Sequence, residues 1–448
     1  MTSTRCQIQE PVALLNDGNA GWVGSINPYV IVMVGLPGRG KSYMSQRINR
    51  WLNWKGLKSR IFNLGEYRRK LFGLQSVDHN WFDPENRDNS VKRDAILSLA
   101  IDDLKTWIEG ENGQIGIIDG TNSSPTRRAL ILTKLEEYDR PFSLDRILWV
   151  ESICENEEAI RENILHSKIG GWDYSGRPMD SAIKDFNDRI SQYRKTYVPL
   201  NCTSDRNLKF IQIHNETGLK GHFPDRVILN RVNDQFSQKI SYFLMNLHAK
   251  NIVIYLTRHG ESTAQIKKVI GTDAELTDRG VLYSHQLKRT MDGELREHPV
   301  VDVLCSTLRR SYRTAMPFTD DPKYVVKQWK QLNEINGGHF EGLTYDEVKD
   351  QWPKTYNLRQ GNKYHCGWPG GESYQQMIIR LENIFLEIER CRNPMLIIAH
   401  QAICRGIYAY LTYMLPERCV DVEIASHTIY KFSHDGNQTR VTEMHLAV

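Results

Sequence analysis

Gly35-Leu36-Pro37-Gly38-Arg39-Gly40-Lys41-Ser42 follows directly on the apolar run Tyr29–Val34. Run and octet together read as a buried strand, a glycine-rich turn and the opening of a helix. That is the context in which the pattern G-x-x-x-x-G-K-[ST] cradles phosphate. Gly35 and Gly40 let the backbone bend so that its N–H groups approach phosphate oxygens. A helix opening at Lys41 adds the positive end of its dipole. Lys41 is expected to reach the terminal phosphates of a nucleotide, and the Ser42 hydroxyl to hold Mg²⁺. Leu36, Pro37, Gly38, Arg39 and Tyr43 complete the expected nucleotide-binding stretch. The competing reading is a glycine-rich surface turn; the preceding strand and the four filled fixed positions weigh against it.

The chain has 448 residues, enough for two or three domains with sizeable cores. A quarter of the residues are charged, yet the net charge is only +4. No Lys/Arg block suggests a nucleic-acid-binding arm; the scattered positive charge points to a small anionic substrate. The eight cysteines are widely spaced and form no C-x-x-C, which argues against a disulfide framework or a zinc site and fits a reducing cytosol. The first residues include Arg5, Glu10 and Pro11 with no apolar core of a signal, and no stretch approaches 18 apolar residues. A secreted or membrane-spanning protein is not expected, and a cytoplasmic one is.

Residues 1–28 show no periodicity and read as a flexible lead-in. Beyond them, short apolar runs at 59–63, 115–119, 146–150 and 209–214 read as strands. Ile96, Ala100, Leu104 and Trp107 recur at helical spacing, and 126–137, 155–168, 181–197 and 235–247 continue that pattern. A strand at 251–257 opens a second alternating series. Its expected helices are 278–295, 345–352, 371–390 and 401–415, and its further strands 301–305, 395–399 and 428–433. Strands alternating with helices imply mostly parallel sheets covered on both faces. The expected architecture is α/β, two three-layer domains at 29–249 and 250–448.

In the first half, the apolar strand Ile115-Gly116-Ile117-Ile118 ends in Asp119, a carboxylate suited to complete a metal shell beside the octet. The bland alternative is a helix cap, since Gly120-Thr121-Asn122-Ser123-Ser124-Pro125 is a capping sequence. Arg68 and Arg69 follow the 59–63 strand, where loops line the crevice of such sheets. Alone, they and Arg93, Arg127, Lys168 and Arg189 read as a solvated face.

The octet with Tyr43, Asn63-Leu64-Gly65-Glu66-Tyr67-Arg68-Arg69, Asp119-Gly120-Thr121-Asn122 and Glu151-Ser152-Ile153-Cys154 together resemble successive motifs of one family. Asn230-Arg231-Val232 and Tyr242-Phe243-Leu244-Met245-Asn246 continue the series. The family is 6-phosphofructo-2-kinase/fructose-2,6-bisphosphatase, and the resemblance runs in order over about residues 30 to 445. It implies that Arg68, Arg93, Thr121, Arg127, Lys168, Arg189 and Tyr193 bind fructose 6-phosphate, and that Asn163 and Lys168 border ATP. Asp119 and Cys154 match positions the family treats as active-site residues. Cys154 itself reads as a packed small residue, because phosphoryl transfer to a hydroxyl needs no thiolate. No strong base stands beside the sugar hydroxyl, so positioning and charge neutralisation are expected to carry the transfer.

In the second half, the opening strand leads into Arg258-His259-Gly260-Glu261. A neutral imidazole beside a guanidinium is a credible phosphate acceptor, although a lone His after a strand is more often structural. A second apolar strand, 395–399, ends in His400-Gln401, so both histidines are expected at one sheet edge. R-H-G-E with a distant strand-end His resembles the histidine phosphatase superfamily, whose fold is phosphoglycerate mutase-like. Glu334, Tyr345, Arg359, Lys363, Gly371-Glu372-Ser373-Tyr374 and His400-Gln401-Ala402 with Arg405 narrow the resemblance to the bisphosphatase half of the same family. It implies that His259 becomes a phosphohistidine and that Glu334 protonates the departing sugar oxygen. Arg258, Arg310 and His400 would hold the phosphoryl group as three cationic groups, making a metal unnecessary. Gln265, Gly271, Tyr345, Arg359, Lys363, Tyr374, Gln401 and Arg405 would complete the substrate site, with His427 structural. A homodimer is also implied.

Three departures stand out: Gln265 replaces the family's usual Asn, Val269 replaces a basic residue, and Gly38 stands where Ala is common. The first two motivate an alternative in which the second half is only a ligand-binding module. A polynucleotide kinase–phosphatase is a further alternative, and no stripe of aromatics interleaved with basic residues supports it.

Overall fold

The computed structural model describes residues 28–73, 79–137, 143–165, 174, 178–215, 224–247, 252–434 and 439–448. The chain divides at 251/252 into two compact units, each with its own six-stranded sheet. The expected lead-in at 1–28 lies, but for its last residue, outside the described residues, as does Lys168.

The first sheet contains β1 (Tyr29–Val34), β2 (Ser59–Asn63), β3 (Ile115–Asp119), β4 (Ile147–Cys154), β5 (Lys209–Asn215) and β6 (Arg226–Asn230). Their order is β2-β3-β1-β4-β5-β6. The first five strands run parallel and β6 pairs antiparallel with β5. Every residue of β1 and β3 is buried, as happens when helices cover both faces of a sheet. Leu97, Ala100, Ile101 and Leu104 of the helix Arg87–Glu111 pack with Val30, Val32, Val34 and Trp149 in one core. At the amino-terminal end of the sheet, the buried Lys209 Nζ donates to Tyr29 Oη (2.9 Å) and to Asp234 Oδ2 (2.6 Å). Asp234 in turn caps the helix Gln235–Asn246.

The second sheet contains β7 (Ile254–Arg258), β8 (Val301–Cys305), β9 (Tyr324–Gln328), β10 (Met395–Ala399), β11 (Thr428–His434) and β12 (Thr439–His445), ordered β12-β11-β7-β10-β8-β9. Strands β7 to β10 are parallel; β11 and β12 are antiparallel.

Several expectations need correction, among them the 401–415 helix, which ends at Leu411, and the 251–257 strand, which spans Ile254–Arg258. The strand expected at 146–150 starts at Ile147 and runs on to Cys154, because the buried Glu151 within it is fully hydrogen-bonded: Tyr197 Oη (2.8 Å), Leu200 N (2.9 Å) and Gln212 Nε2 (2.7 Å) all donate to it. The helix expected at 155–168 starts only at Glu157, since Asn156 caps it, and it is described to Ile164. The helix expected at 371–390 is two, Tyr374–Arg380 and Glu382–Arg390, with Ser373 forming a capping box at the first start. Finally, β6, β9 and β12 were not expected at all.

Candidate active sites

The octet, Asp119 and Cys154 in the first unit, and His259 and His400 in the second, stand at the carboxyl ends of adjacent parallel strands. Strand β1 lies between β3 and β4, so the octet emerges between Asp119 and Cys154.

Gly35 has φ +130°, and a Cβ there would overlap the Ser152 carbonyl oxygen on β4, so only glycine fits. The loop is braced on both flanks. Gly35 N donates to Thr121 O (2.9 Å), Asn122 Nδ2 to Met33 O (2.9 Å) and Asn163 Nδ2 to Gly38 O (3.1 Å). The Ser152 hydroxyl donates to Arg39 O. The Arg39 guanidinium is buried, which lowers its pKa, and bonds Cys154 O (3.1 Å) and Pro37 O (2.8 Å). The helix Lys41–Trp54 follows, and its N-cap, Gly40 (φ +80°), offers no side-chain acceptor. Its first-turn N–H groups therefore suit an anion. Lys41 is buried, with Nζ folded onto Leu36 O at 2.7 Å. Ser42 and Tyr43 are half-buried on the same first turn.

Asp119 is buried at the end of β3, and Oδ2 accepts from Asn63 Nδ2 at 2.6 Å. It is not a helix cap: Ser124 caps the helix Pro125–Glu136. A carboxylate and a hydroxyl are hard oxygen donors, so Asp119 and Ser42 fit Mg²⁺ held jointly with phosphate oxygens. Cys154 is buried with its thiol pKa raised by burial, as suits a packing residue.

The arginines converge on a turn that periodicity did not reveal, the 3₁₀ segment His79–Phe82. The Arg189 guanidinium sits 3.9 Å from the centroid of Phe82 and that of Arg68 5.6 Å from it. The Tyr193 ring packs on Phe82 at 5.4 Å. Arg93 donates to Trp81 O, and Arg127 Nη2 to Arg93 O (2.9 Å). Asp185, on the helix Met179–Arg194 that carries Arg189 and Tyr193, accepts from His79 N and pairs with His79 Nδ1, both at 3.1 Å. It also accepts from Tyr174 Oη at 2.9 Å. The Thr121 side chain is half-buried just after β3.

In the second unit, β7 and β10 pair Arg258 with Ala399, and His259 N donates to Ala399 O at 2.9 Å. The rings of His259 and His400 are thereby brought to 5.0 Å, centroid to centroid. His259 Nδ1 lies 2.7 Å from Gly260 O, which can only accept, so Nδ1 carries the proton. Nε2 then holds the lone pair, and Arg310 Nε donates to it at 3.1 Å. Burial first, then the Arg310 charge, push the His259 pKa well below 6.5. Burial, Arg310 and His259 do the same to His400, so the expected third cation is a neutral ring. Two guanidiniums, Arg258 and Arg310, supply the positive charge nearest the rings.

Arg310 Nη1 is anchored on Thr272 O (2.7 Å). Arg258 Nη1 reaches Ile424 O (3.3 Å) and Ser426 Oγ (3.1 Å), while its buried Nε has no partner among the described residues. Gln265 Nε2 also goes to Ser426 Oγ (3.0 Å). Glu334 Oε1 accepts from Ile335 N (3.0 Å) and from Ala402 N (3.2 Å), in the first turn of the helix Gln401–Leu411, whose first residue is the half-buried Gln401. Arg405 bonds Tyr374 Oη (3.0 Å) and Val422 O (2.7 Å). Arg359 is buried 4.3 Å over Trp368, whose ring is 6.3 Å from Tyr345. Neighbouring charge on Arg359 and Arg405, after burial, lowers the Lys363 pKa, so these three cations share one region. Gly271 turns with φ +67° just before Thr272. His427 stacks on Tyr283 at 4.7 Å and accepts from Glu261 N (3.2 Å), a structural contact. Val269 forms an isolated bridge with Thr344. Four neighbours carry no local signal in the sequence: Ser426, Trp368, Thr314, whose Oγ1 accepts from Gly260 N (3.0 Å), and Ser306, whose Oγ meets His400 Nε2 (2.7 Å).

Two family models match the chain: 6-phosphofructo-2-kinase over residues 19–251 and the histidine phosphatase superfamily (branch 1) over residues 254–446. Among curated proteins, 6-phosphofructo-2-kinase/fructose-2,6-bisphosphatase 3 of Rattus norvegicus is 36% identical over 425 residues, covering 94% of this chain and 73% of the relative. The Homo sapiens protein of the same name is also 36% identical, covering 94% and 78%. 6-Phosphofructo-2-kinase/fructose-2,6-bisphosphatase of Aquarana catesbeiana is 34% identical, covering 94% and 86%. Among solved structures, a putative alpha-ribazole-5'-P phosphatase from Escherichia coli aligns with 44% of this chain and 100% of its own at 22% identity and TM-score 0.40.

Proposed function

The chain belongs to the bifunctional 6-phosphofructo-2-kinase/fructose-2,6-bisphosphatase family, and from that premise we propose how its own residues carry out two opposed reactions. The first half phosphorylates fructose 6-phosphate at the 2-hydroxyl using ATP. The second hydrolyses fructose 2,6-bisphosphate to fructose 6-phosphate and phosphate.

In the kinase half, the loop N–H groups and Lys41 take the nucleotide phosphates, and Lys41 Nζ exchanges Leu36 O for a terminal phosphate oxygen. Arg68, Arg93, Arg127 and Arg189 gather the sugar phosphate above Phe82. Mg²⁺, when bound, neutralises triphosphate charge, with Ser42 and Asp119 as its protein oxygens. The sugar 2-oxygen bonds to the γ-phosphorus as the bond to the ADP oxygen breaks, and the hydroxyl proton passes to a phosphate oxygen and from there to solvent. No side chain needs to act as a strong base for a loose transfer of this kind. Arg39 serves as a brace, its guanidinium being occupied by backbone carbonyls.

In the bisphosphatase half, the lone pair on His259 Nε2 forms the new bond to phosphorus and the bond to the sugar 2-oxygen breaks. With Glu334 Oε1 held by two N–H groups, Oε2 is the atom that passes a proton to the leaving oxygen. Water then attacks the phosphohistidine, Glu334 takes its proton, and Nε2 leaves with its lone pair restored. The observation that carries this reading is the pairing of His259 Nε2 with Arg310 while Nδ1 is tied to Gly260 O. The ring presents a lone pair toward a guanidinium that also attracts phosphate. Arg359, Lys363, Tyr345, Tyr374, Gln401 and Arg405 orient the sugar.

Assaying both reactions in wild type, Lys41→Ala and His259→Ala tests the division of labour. Each substitution is expected to abolish one activity and spare the other; loss of both from either would refute separate sites. Acid-labile labelling of the chain by ³²P-bisphosphate, absent in His259→Ala, tests the covalent step. Among the described residues no helix is long and apolar enough to cross a membrane; the free thiols of the described cysteines fit a cytoplasmic enzyme. A homodimer through the first unit agrees with the exposed Leu229 on the edge strand β6, and sedimentation tests it.

A further inference from the structure

Ser306 follows β8 directly and is fully buried, next to the end of β10. Its Oγ lies 2.7 Å from His400 Nε2 and 3.2 Å from Leu308 N. A hydroxyl has one proton to give, and Leu308 N–H is itself a donor, so the proton must go to His400. Were Nε2 protonated instead, the Ser306 hydrogen would be buried among the described residues with no acceptor. Nε2 therefore accepts, and the proton of the neutral ring sits on Nδ1. Among the described residues that buried Nδ1 atom has no hydrogen-bond partner. A buried N–H without an acceptor is an invitation to an anion.

We propose that Ser306 is a positioning residue that fixes His400 as an Nδ1–H donor toward the phosphoryl group of the substrate. The two rings are then complementary tautomers of one kind of side chain. Gly260 O holds His259 with its Nε2 lone pair ready for phosphorus; Ser306 holds His400 with an N–H ready for a phosphoryl oxygen. Ser306 is itself held in place, since its N–H bonds Ser311 Oγ (3.0 Å), whose hydroxyl donates to Ile398 O (2.7 Å) on β10. The strand that delivers His400 thus also locates the serine that sets its proton. The proposal rests on the phosphohistidine reading of this site.

Two measurements on the full-length chain test it. In protein labelled with ¹⁵N-histidine, the His400 resonances, identified by their absence in His400→Gln, should show a protonated Nδ1 and a bare Nε2. In Ser306→Ala that pattern should be lost. The same variant should lose about tenfold in bisphosphatase kcat/KM, ~1.4 kcal/mol of transition-state stabilisation, while its kinase rate, which reports an intact chain, is unchanged. Ser306→Thr, which keeps the hydroxyl, should recover most of the loss and the ring pattern. A protonated Nε2 in wild type, or Ser306→Ala with unaltered kcat/KM, would overturn the proposal even if His259→Ala still abolishes hydrolysis. Absence of bisphosphatase activity in wild type would instead overturn the phosphohistidine reading.

Discussion

Holding two histidines neutral inside the second unit carries a measurable thermodynamic signature. Burial, reinforced by Arg310, places both His259 and His400 well below their ordinary 6.5. Below pH 6.5 the unfolded chain takes up protons that the folded rings refuse, so the folded unit is destabilised as pH falls and stability rises with pH. Between about pH 7.5 and 5.5 the unfolded proton uptake amounts to a factor of ~10 per ring, ~1.4 kcal/mol each and ~2.7 kcal/mol together. Substituting both rings, His259→Gln with His400→Gln, removes this component and leaves all other titrations, including His427, common to both proteins. Native-state hydrogen exchange of the β7 and β10 amides reports the opening free energy of the unit at each pH. Wild type is expected to lose up to ~2.7 kcal/mol more than the double variant over that interval. Equal losses would refute the claim that these rings are buried and neutral, and with it the lone-pair assignment to His259.

Gly35→Ala forces a side chain into the Ser152 carbonyl at φ +130°; kinase turnover should fall about a hundredfold or more while bisphosphatase turnover, measured on the same sample, holds. Asp185→Asn weakens the tie between His79 and the helix bearing Arg189, so KM for fructose 6-phosphate should rise about fivefold, on the order of 1 kcal/mol, with KM for ATP unmoved. Lys209→Met leaves the partly exposed Asp234 carboxylate unpaired and should cost about 2 kcal/mol of first-unit stability in a urea titration. Burial would raise the Asp234 pKa, but hydrogen bonds from Lys209 and Ser237 bring it down to about 2. Its contribution is therefore full above pH 3.8 and lost as pH falls toward 2, and that acid limb should be smaller in Lys209→Met, where only the Ser237 bonds remain.

The parallel strands were legible because β1 and β10, and β3 up to Asp119, are apolar without interruption, as burial on both faces requires. β6 and β12 were not, since edge strands mix exposed and half-buried residues. Nor was the continuation of β4, whose Glu151 is a charge in sequence and a hydrogen-bond hub in space. The two strand-end histidines could be found from position, but the tautomers proposed for them could not. Those rest on Ser306, 94 residues from His400, and on a carbonyl that any sequence would supply. Likewise the arginines were visible singly, while Phe82, the ring on which Arg68 and Arg189 meet, lies in a turn with no periodic pattern.

The pairing of Arg258 with Ala399 imposes a constraint of parity on evolution of the second unit. Side chains alternate faces along a strand, so deleting one residue within β7 or β10 rotates its histidine to the opposite face and separates the two rings. Substituting one buried aliphatic for another leaves the alignment intact. Drift in these strands is consequently free to change letters and barred from changing their number.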